Sequence, residues 1–169
     1  MTPELSKYIK AQIPRWKGLN VVELGSRAAD GQEHLHCGLA ICDVAKYTGI
    51  DMRQGWGVDI VADLSFDHVT HRATEPLESA DVILCLEMLE HVPEFWNIVH
   101  LMSPMNAPKC GELIISVPTF DFPYHAHPVD CYRFSADALP ALMPGYDIQE
   151  ITYLSYGFGN QTMVARGTR

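Results

Sequence analysis

The sequence has no long hydrophobic run. None of its apolar stretches approaches the roughly 18 residues that a membrane-spanning helix needs. It also has no basic N-terminal segment followed by the apolar run of a secretory leader. We therefore predict a cytoplasmic protein without a membrane span or a signal peptide.

Basic residues are scarce, with 12 Lys and Arg against 21 Asp and Glu, and the net charge is −9 with histidine neutral. A broad electrostatic hold on nucleic acid needs the opposite sign, so we expect no nucleic-acid partner. The exception is local, since Lys7, Lys10, Arg15 and Lys17 make the N-terminal segment basic. A solvated helix face explains this cluster, and contact with an anionic partner stays open.

Cysteines do not occur at regular, paired spacings. The five are Cys37, Cys42, Cys85, Cys110 and Cys131. Their odd number and irregular spacing predict free thiols in a reducing cytosol rather than a disulfide framework. His34, His36 and Cys37 lie close together, but no second ligand pair follows at zinc-site spacing. We interpret that segment as a helix with surface histidines and predict no metal site.

A phosphate-binding glycine loop is also missing. Gly25 follows the first apolar run and the next glycine is Gly31, so the glycine that touches pyrophosphate in G-x-G-x-x-G is absent. What remains is one glycine that lets a ligand approach the backbone. Asp51, at the end of the next strand, suits a ribose diol. This pattern favours S-adenosylmethionine over a dinucleotide, and Glu23, Asp30 and Asp51 suit its cationic end.

Strand and helix patterns alternate along the chain. The opening helix has Thr2 as its N-cap and Pro3 in its first turn, and it ends at Pro14. Further helices are predicted over 32–42, over 94–102 and after Ser135. The predicted strands are 20–24, 46–51, 58–62, 81–86, 113–117, 146–154 and 161–165, with Gly157 and Gly159 turning the last pair. The alternation predicts one α/β domain (1–169) with a Rossmann-like, doubly wound, mostly parallel seven-stranded sheet and an antiparallel closing strand. Segment 1–17 is expected on its edge or over the ligand.

Ligands of doubly wound sheets bind beyond the carboxyl ends of the strands. Several unusual residues of this chain directly follow predicted strands. They are Gly25, Asp51, Asp63, Leu86, Glu87, Pro118 and Thr119. We therefore predict one ligand crevice at that edge of the sheet.

Six segments carry a family resemblance. They are VVELGSR (21–27), GIDMR (49–53), VDIVADL (58–64), CLEMLEHV (85–92), GELIISVP (111–118) and HAHPVDCYRF (125–134). In order and spacing they resemble the class I S-adenosylmethionine-dependent methyltransferases over nearly the whole chain. The chain is similar in particular to a small single-domain subgroup with E-x-G-S-R and H-P-x-D-x-Y-R-F-like motifs.

The resemblance implies that S-adenosylmethionine is the cofactor and S-adenosylhomocysteine the product. It places Glu23 beside the methionine part, Asp51 at the ribose hydroxyls, and Asp63 at the adenine edge. The cofactor-binding residues that it implies are Glu23, Gly25, Ser26, Asp51, Met52, Asp63, Leu64, Leu86 and Glu87. Ser26 and Arg27 stand where the family often has further glycines.

Methyl transfer needs a base only where the nucleophile arrives protonated, and a histidine suits that task. His125 and His127 follow the fifth strand, and Asp130 lies three residues further on. We take these three as candidate catalytic residues, whereas His91 is at least as well explained by packing. The same loop could instead tie itself down through hydrogen bonds of Asp130 and Arg133, and both interpretations stay open. A metal on His125, His127 and Asp130 is a weak signal.

The acceptor is the least specified part of the prediction. The resemblance implies transfer to an O or N nucleophile of a small-molecule or saccharide-like acceptor. Phe120, Phe122 and Tyr124 could form an aromatic wall for it, or a patch that a second copy or a partner subunit covers. A non-catalytic, cofactor-binding partner module is the main alternative. A nucleotide-dependent oxidoreductase is disfavoured by the glycine pattern, and a nucleic-acid methyltransferase by the acidic charge.

Overall fold

A computed structural model describes residues 1–36, 43–65, 71–126, 129–155 and 161–169. Its centre is a sheet of seven strands: β1 (Asn20–Leu24), β2 (Lys46–Asp51), β3 (Ile60–Val61), β4 (Val82–Leu86), β5 (Glu112–Pro118), β6 (Asp147–Ser155) and β7 (Gln161–Thr168). Their order is β3-β2-β1-β4-β5-β7-β6, and β7 runs antiparallel to both its neighbours while the other pairs are parallel. The predicted Rossmann-like, doubly wound α/β sheet with an antiparallel closing strand is confirmed.

The central strands are apolar on both faces. In β4, Val82 and Leu84 pack in one hydrophobic cluster while Ile83 and Cys85 pack in another, and all four are buried. Successive side chains of a strand point to opposite faces. The unbroken apolar run therefore reflects a parallel strand that is covered on both sides.

The N-terminal helix α1 (Pro3–Gln12) begins as predicted. The hydroxyl of Thr2 accepts a hydrogen bond from the backbone N–H of Leu5 at 3.4 Å. Pro3 occupies the first turn, where its missing N–H would have no partner in the helix.

This helix lies across one face of the sheet. Leu5 and Ile9, one turn apart, are fully buried in the cluster that contains Leu84. Trp16, in the 3₁₀ turn that follows α1, packs in the same cluster and donates its indole N–H to Glu112 at 2.9 Å. Burial of these side chains places segment 1–17 over the central strands rather than at the edge of the sheet. Its first residues, Met1, Thr2 and Pro3, line the large cavity at the strand ends, which agrees with the alternative position over the ligand.

Three helices pack on the opposite face: α2 (His71–Glu78), α3 (Phe95–Met102) and α4 (Leu139–Leu142). Helix α3 and the helical segment after Ser135 were predicted, although 136–138 forms a 3₁₀ turn and the Ser135 side chain makes no capping bond. Helix α2 was not predicted. It contains Pro76, which breaks the helical pattern, and only Ala73 and Leu77 are buried.

Other differences are local. Strand β3 is shorter than the predicted 58–62. Within the predicted helix 32–42 the described part is a single 3₁₀ turn, Glu33–Leu35. Residues 37–42 and the predicted turn at Gly157 and Gly159 lie outside the described residues. Among the described helices none has the length and apolar character needed to cross a membrane.

Candidate functional site

A cavity of about 910 Å³ opens at the carboxyl ends of the parallel strands. Its lining includes Gly25 after β1, Asp51 at the end of β2, Asp63 after β3 and Glu87 after β4. The strands thus bring together residues that are far apart in the sequence, at the edge where doubly wound sheets bind ligands. Pro118 and Thr119, which were also expected there, do not line this cavity.

Gly25 makes the turn that ends β1. Its φ is +72°, in the left-handed region, and its N–H donates to the carbonyl of Ile50 at 2.9 Å. A Cβ at this position would lie 2.9 Å from Cγ of Met88. Glycine is therefore required for two reasons: the backbone is left-handed, and the Met88 side chain occupies the space that a Cβ would take.

A small chamber of about 80 Å³ adjoins the turn, and its lining includes Glu23, Ser26, Leu86 and Glu87. The Ser26 hydroxyl is buried and has no hydrogen-bond partner among the described residues. Leu86 supplies an apolar wall. The chamber thus combines two carboxylates with one unsatisfied hydroxyl, which suits a ligand that carries an ammonium group.

Glu23 is held by residues that sequence reasoning missed. Tyr47 donates its hydroxyl to Glu23 Oε2 at 2.6 Å, and His36 Nε2 lies 3.6 Å from the same oxygen. His36 is 3% exposed, with Nε2 at 2.6 Å from the carbonyl oxygen of Ser26. The expected surface position of His36 is therefore wrong. Only its position after the glycine turn could have suggested that it packs back onto the loop.

Glu87 is the described non-glycine residue with positive φ, at +50°. Its N–H lies 3.0 Å from both the carbonyl oxygen and the hydroxyl of Ser116, and Thr162 donates to Oε1 at 3.1 Å. The amine of Met1 lies 3.6 Å from Oε2. A strained backbone held by several bonds is typical of a functional position.

Asp51 organises the two loops beside it. Its Oδ2 accepts the N–H of Arg27 at 3.1 Å, and its Oδ1 accepts the N–H of Arg53 at 2.9 Å. Each carboxylate oxygen has two lone pairs, so both retain capacity for a ligand hydroxyl. Backbone bonds on both sides fix the direction in which the carboxylate faces the cavity.

Asp63, Met52 and Leu64 line the same cavity. Ser65 donates its N–H and its hydroxyl to Asp63 Oδ1, at 2.9 and 2.5 Å. Leu64 is buried, whereas Met52 is half exposed. Met52 and Leu64 offer apolar surface to a planar base, and the Asp63 carboxylate can accept a hydrogen bond from an amino group on its edge.

The remaining lining comes from loops after β4 and β5. His91, Phe122 and His125 lie there, with the rings of Phe122 and His125 4.7 Å apart. His127, a candidate base, lies outside the described residues.

Asp130 faces its own loop rather than the open cavity. Its buried carboxylate binds both terminal nitrogens of Arg133, at 2.5 and 2.7 Å, and accepts the N–H of His125 at 2.7 Å. The hydrogen bonds from Arg133 hold the pKa of Asp130 well below its usual range. The pairing raises the pKa of Arg133. The ion pair and the backbone bond together fix the loop that carries His125.

Glu90 was not singled out from the sequence, and it lies at the centre of this region. It is 0% exposed, and burial raises its pKa to about 8. Neither carboxylate oxygen has a hydrogen-bond partner in the described part of the chain. The run Glu87-x-x-Glu90-His91 is the one sequence feature that could have drawn attention to Glu90. Its burial could not be predicted, because it depends on how the loops fold around it.

Several solved structures are similar to this chain in fold. Magnesium protoporphyrin IX methyltransferase from Synechocystis PCC 6803, with bound SAM, is 16% identical with a TM-score of 0.62, over 99% of this chain and 79% of that chain. A 1,6-didemethyltoxoflavin-N1-methyltransferase from Burkholderia thailandensis, with bound substrate and S-adenosylhomocysteine, is 14% identical with a TM-score of 0.65, over 99% and 79%. The methyltransferase domain of a bacterial CtHen1 is 12% identical with a TM-score of 0.67, over 98% of both chains.

The chain shares its fold with these three methyltransferases. No family model matches it, and no curated protein sequence matches it. At these low identities the likeness extends to the arrangement of strands and helices.

Proposed function

We propose that this protein is an S-adenosylmethionine-dependent methyltransferase that forms S-adenosylhomocysteine as product. The observation that carries the proposal is the cavity where Gly25, Asp51 and Asp63 meet at three strand ends. A dinucleotide would place pyrophosphate beside this turn. Carboxylates of Glu23 and Glu87 in the adjoining chamber disfavour phosphate and favour a cationic group.

Two features of the site fit the cofactor. Gly25 turns the chain at the cavity with a φ of +72° and no side chain, and the buried Ser26 hydroxyl beside the chamber has no hydrogen-bond partner among the described residues. We assign the methionine part to the chamber of Glu23, Ser26, Leu86 and Glu87, and the ribose hydroxyls to Asp51. The adenine is assigned to Met52 and Leu64, with Asp63 at its edge. Bound there, S-adenosylmethionine supplies a methyl group on a sulfonium, which is a good leaving group.

The chain's own residues position the reactants and handle a proton. Holding two reactants in line is worth several kcal/mol of the barrier. His125 lines the cavity and is the described candidate for accepting a proton from an O or N nucleophile, with His127 as the second candidate. Asp130 Oδ2 lies 3.4 Å from His125 Nδ1. We therefore assign Asp130 the role of positioning His125 through the loop.

We propose a small-molecule or saccharide-like acceptor. The whole cavity of about 910 Å³ also contains the residues assigned to the cofactor, so the part left for an acceptor is smaller and lies within the roughly 300–1,000 Å³ scale of small-molecule sites. Phe122 gives it an aromatic wall beside His125. A net charge of −9 disfavours nucleic acid as the acceptor.

The test is a thermal-shift and calorimetric titration with S-adenosylmethionine, S-adenosylhomocysteine and NAD(H). A ligand at a hundred times its Kd adds about 2.7 kcal/mol to the free energy of unfolding. For a chain of this size that raises Tm by about 5–11 °C. Stabilisation by the two adenosyl ligands alone supports the proposal, and stabilisation by NAD(H) alone refutes it.

An alternative with its own support is a non-catalytic partner module. Phe120 and Tyr124 are 73% and 77% exposed and Trp96 is 55% exposed, so a second copy or a partner subunit could cover them. Under this alternative the adenosyl ligands bind, but no acceptor in a broad panel is methylated and His125→Ala has no catalytic effect. Either function fits the cytoplasm, which we propose because Cys85, Cys110 and Cys131 are free thiols.

A further inference from the structure

Three metal-binding side chains converge beside the large cavity. Glu90 and His91 lie in the 3₁₀ turn that follows β4, and His125 lies in the loop that follows β5. One potential ligand atom from each lies within 4.8 Å of the other two. Sequence spacing did not reveal the cluster, because His91 and His125 are far apart in the sequence and follow different strands.

Glu90 needs a partner that the described residues do not provide. Its side chain is 0% exposed, and neither oxygen accepts a hydrogen bond within the described part of the chain. Its Oε1 lies 3.7 Å from His91 Nε2 and 3.9 Å from His125 Nε2. These separations are too long for hydrogen bonds. A buried carboxyl group that lacks hydrogen-bond partners destabilises the fold, and a bound cation would supply the missing partner.

Both histidines direct the appropriate nitrogen toward Glu90. His91 Nδ1 lies 2.5 Å from the carbonyl oxygen of Val129, and His125 Nδ1 lies 3.2 Å from that of Pro123. A carbonyl oxygen only accepts hydrogen bonds, so each Nδ1 carries the proton. In a neutral imidazole the lone pair is then on Nε2, the atom that faces Glu90. Metal-binding histidines are commonly oriented by this kind of bond to the second nitrogen.

We propose that Glu90, His91 and His125 bind a divalent first-row transition metal such as Zn²⁺ or Mn²⁺. Two imidazoles and one carboxylate suit these ions, whereas Mg²⁺ and Ca²⁺ prefer all-oxygen sites. Ligands about 2.0–2.2 Å from a tetrahedral ion lie about 3.4 Å apart. The observed 3.7 and 3.9 Å require only small side-chain movements to reach that spacing.

The remaining coordination positions would face the cavity, since His91 and His125 line it. An oxygen of the methyl acceptor could bind there, and this step rests on the proposed function. The metal site itself does not, because it stands on three side chains and their geometry. On this assignment His125 is a metal ligand, and His127 is the remaining candidate base.

The test uses the full chain, stripped with a chelator and titrated with ZnCl₂, MnCl₂ and MgCl₂ in the absence of any adenosyl ligand. We expect one equivalent of Zn²⁺ or Mn²⁺ to bind by calorimetry. At a hundred times its Kd the ion should raise Tm by about 5–11 °C. Mg²⁺ at the same concentration should have no comparable effect.

Glu90→Gln and His125→Ala should each weaken binding about 100-fold or more, since even the loss of an outer-sphere partner weakens metal sites 10- to 100-fold. Glu90→Gln keeps the shape of the side chain and removes its charge, so it should fold. His125 is 26% exposed, and its truncation offers a second folded variant if the first one fails. His71→Ala, at a histidine that is 78% exposed and outside the cavity, is the matched control and should bind as the unchanged chain does.

Absence of a one-to-one Zn²⁺ or Mn²⁺ complex would overturn the inference. The same holds if Glu90→Gln or His125→Ala binds the metal with the affinity of the His71→Ala control. An equal response to Mg²⁺ would overturn the assigned metal class. Adenosyl-ligand binding is measured separately on the same preparation. If the unchanged chain binds the adenosyl ligands but no metal, only the metal site is rejected. If it binds the metal but no adenosyl ligand, only the proposed function is rejected.

Discussion

Replacing Gly25 by alanine tests the turn on which the cofactor assignment depends. The structure offers two matched controls, because Gly18 and Gly31 have φ of +74° and +78°, close to the +72° of Gly25. A Cβ at either control position would meet nothing within 4 Å, whereas at Gly25 it would lie 2.9–3.0 Å from three atoms of Met88. The three substitutions therefore share a backbone penalty and differ in the collision.

The expected magnitudes follow from that difference. A left-handed alanine costs about 1–2 kcal/mol relative to glycine, which lowers Tm by about 2–8 °C in a chain of this size. Overpacking against Met88 adds about 1–3 kcal/mol at Gly25, because this side chain, which itself lines the cavity, must shift. Gly25→Ala should therefore lower Tm by about 4–20 °C in total.

The decisive assay is calorimetric titration with S-adenosylhomocysteine after folding has been verified by circular dichroism. Gly18→Ala and Gly31→Ala should bind it as the unchanged chain does. Gly25→Ala should bind it at least about 10-fold more weakly, which is about 1.4 kcal/mol. Equal affinity in all three variants would refute the assigned approach of the cofactor to this turn, even if Gly25→Ala were the least stable.

Three further predictions concern other parts of the site. Asp51→Ala should reduce S-adenosylmethionine affinity by about 1.5–3 kcal/mol through loss of the ribose bonds. Asp30, which the sequence suggested for the cationic end, is 92% exposed and lines neither the cavity nor the chamber, so Asp30→Ala is the control and should leave the calorimetric affinity unchanged. Asp130→Asn should lower the free energy of unfolding in urea by about 1–3 kcal/mol, because it removes the charge that pairs with Arg133 while the guanidinium keeps its hydrogen bonds to backbone carbonyls. Since the folded-state pKa of Asp130 is lowered, its stabilisation is present above the ordinary aspartate pKa and is lost as the pH falls; an unchanged acid-unfolding profile in Asp130→Asn would contradict this. His127→Ala should slow turnover with cofactor affinity intact, and an equal loss of both would indicate a role in loop folding.

Much of the fold could be predicted because its strands are continuous apolar runs. The segment 81–86 indicated a strand buried on both faces, and β4 spans Val82–Leu86. Helix α2 could not be predicted in this way, because its buried residues are only Ala73 and Leu77, and Pro76 interrupts the helical pattern between them. The location of α1 also depends on tertiary packing, since an amphipathic helix fits an edge or a face equally well.

Only part of the candidate site could likewise be predicted from the sequence. Gly25, Asp51 and Asp63 could be brought together from the sequence because parallel strands end at a common edge. The partners of Glu23 could not, since His36 reaches it through a loop with no regular pattern. Glu90 was missed because its significance lies in its burial and its unsatisfied oxygens, neither of which a single sequence displays.

The loops around Glu90 are joined by backbone bonds, which makes that region one structural unit. The carbonyl of Glu90 accepts the N–H groups of Cys131 and Tyr132 at 2.7 and 3.3 Å, and the Tyr132 hydroxyl donates to the carbonyl of Pro93 at 2.7 Å. The loop that carries His125 is therefore fixed to the turn that carries His91. Since β4 and β5 are neighbouring parallel strands, both segments begin at the same edge of the sheet as the cofactor residues. A displacement of either loop would alter the histidine separation and the cavity wall together, so the ligand geometry depends on the whole unit rather than on three independent side chains.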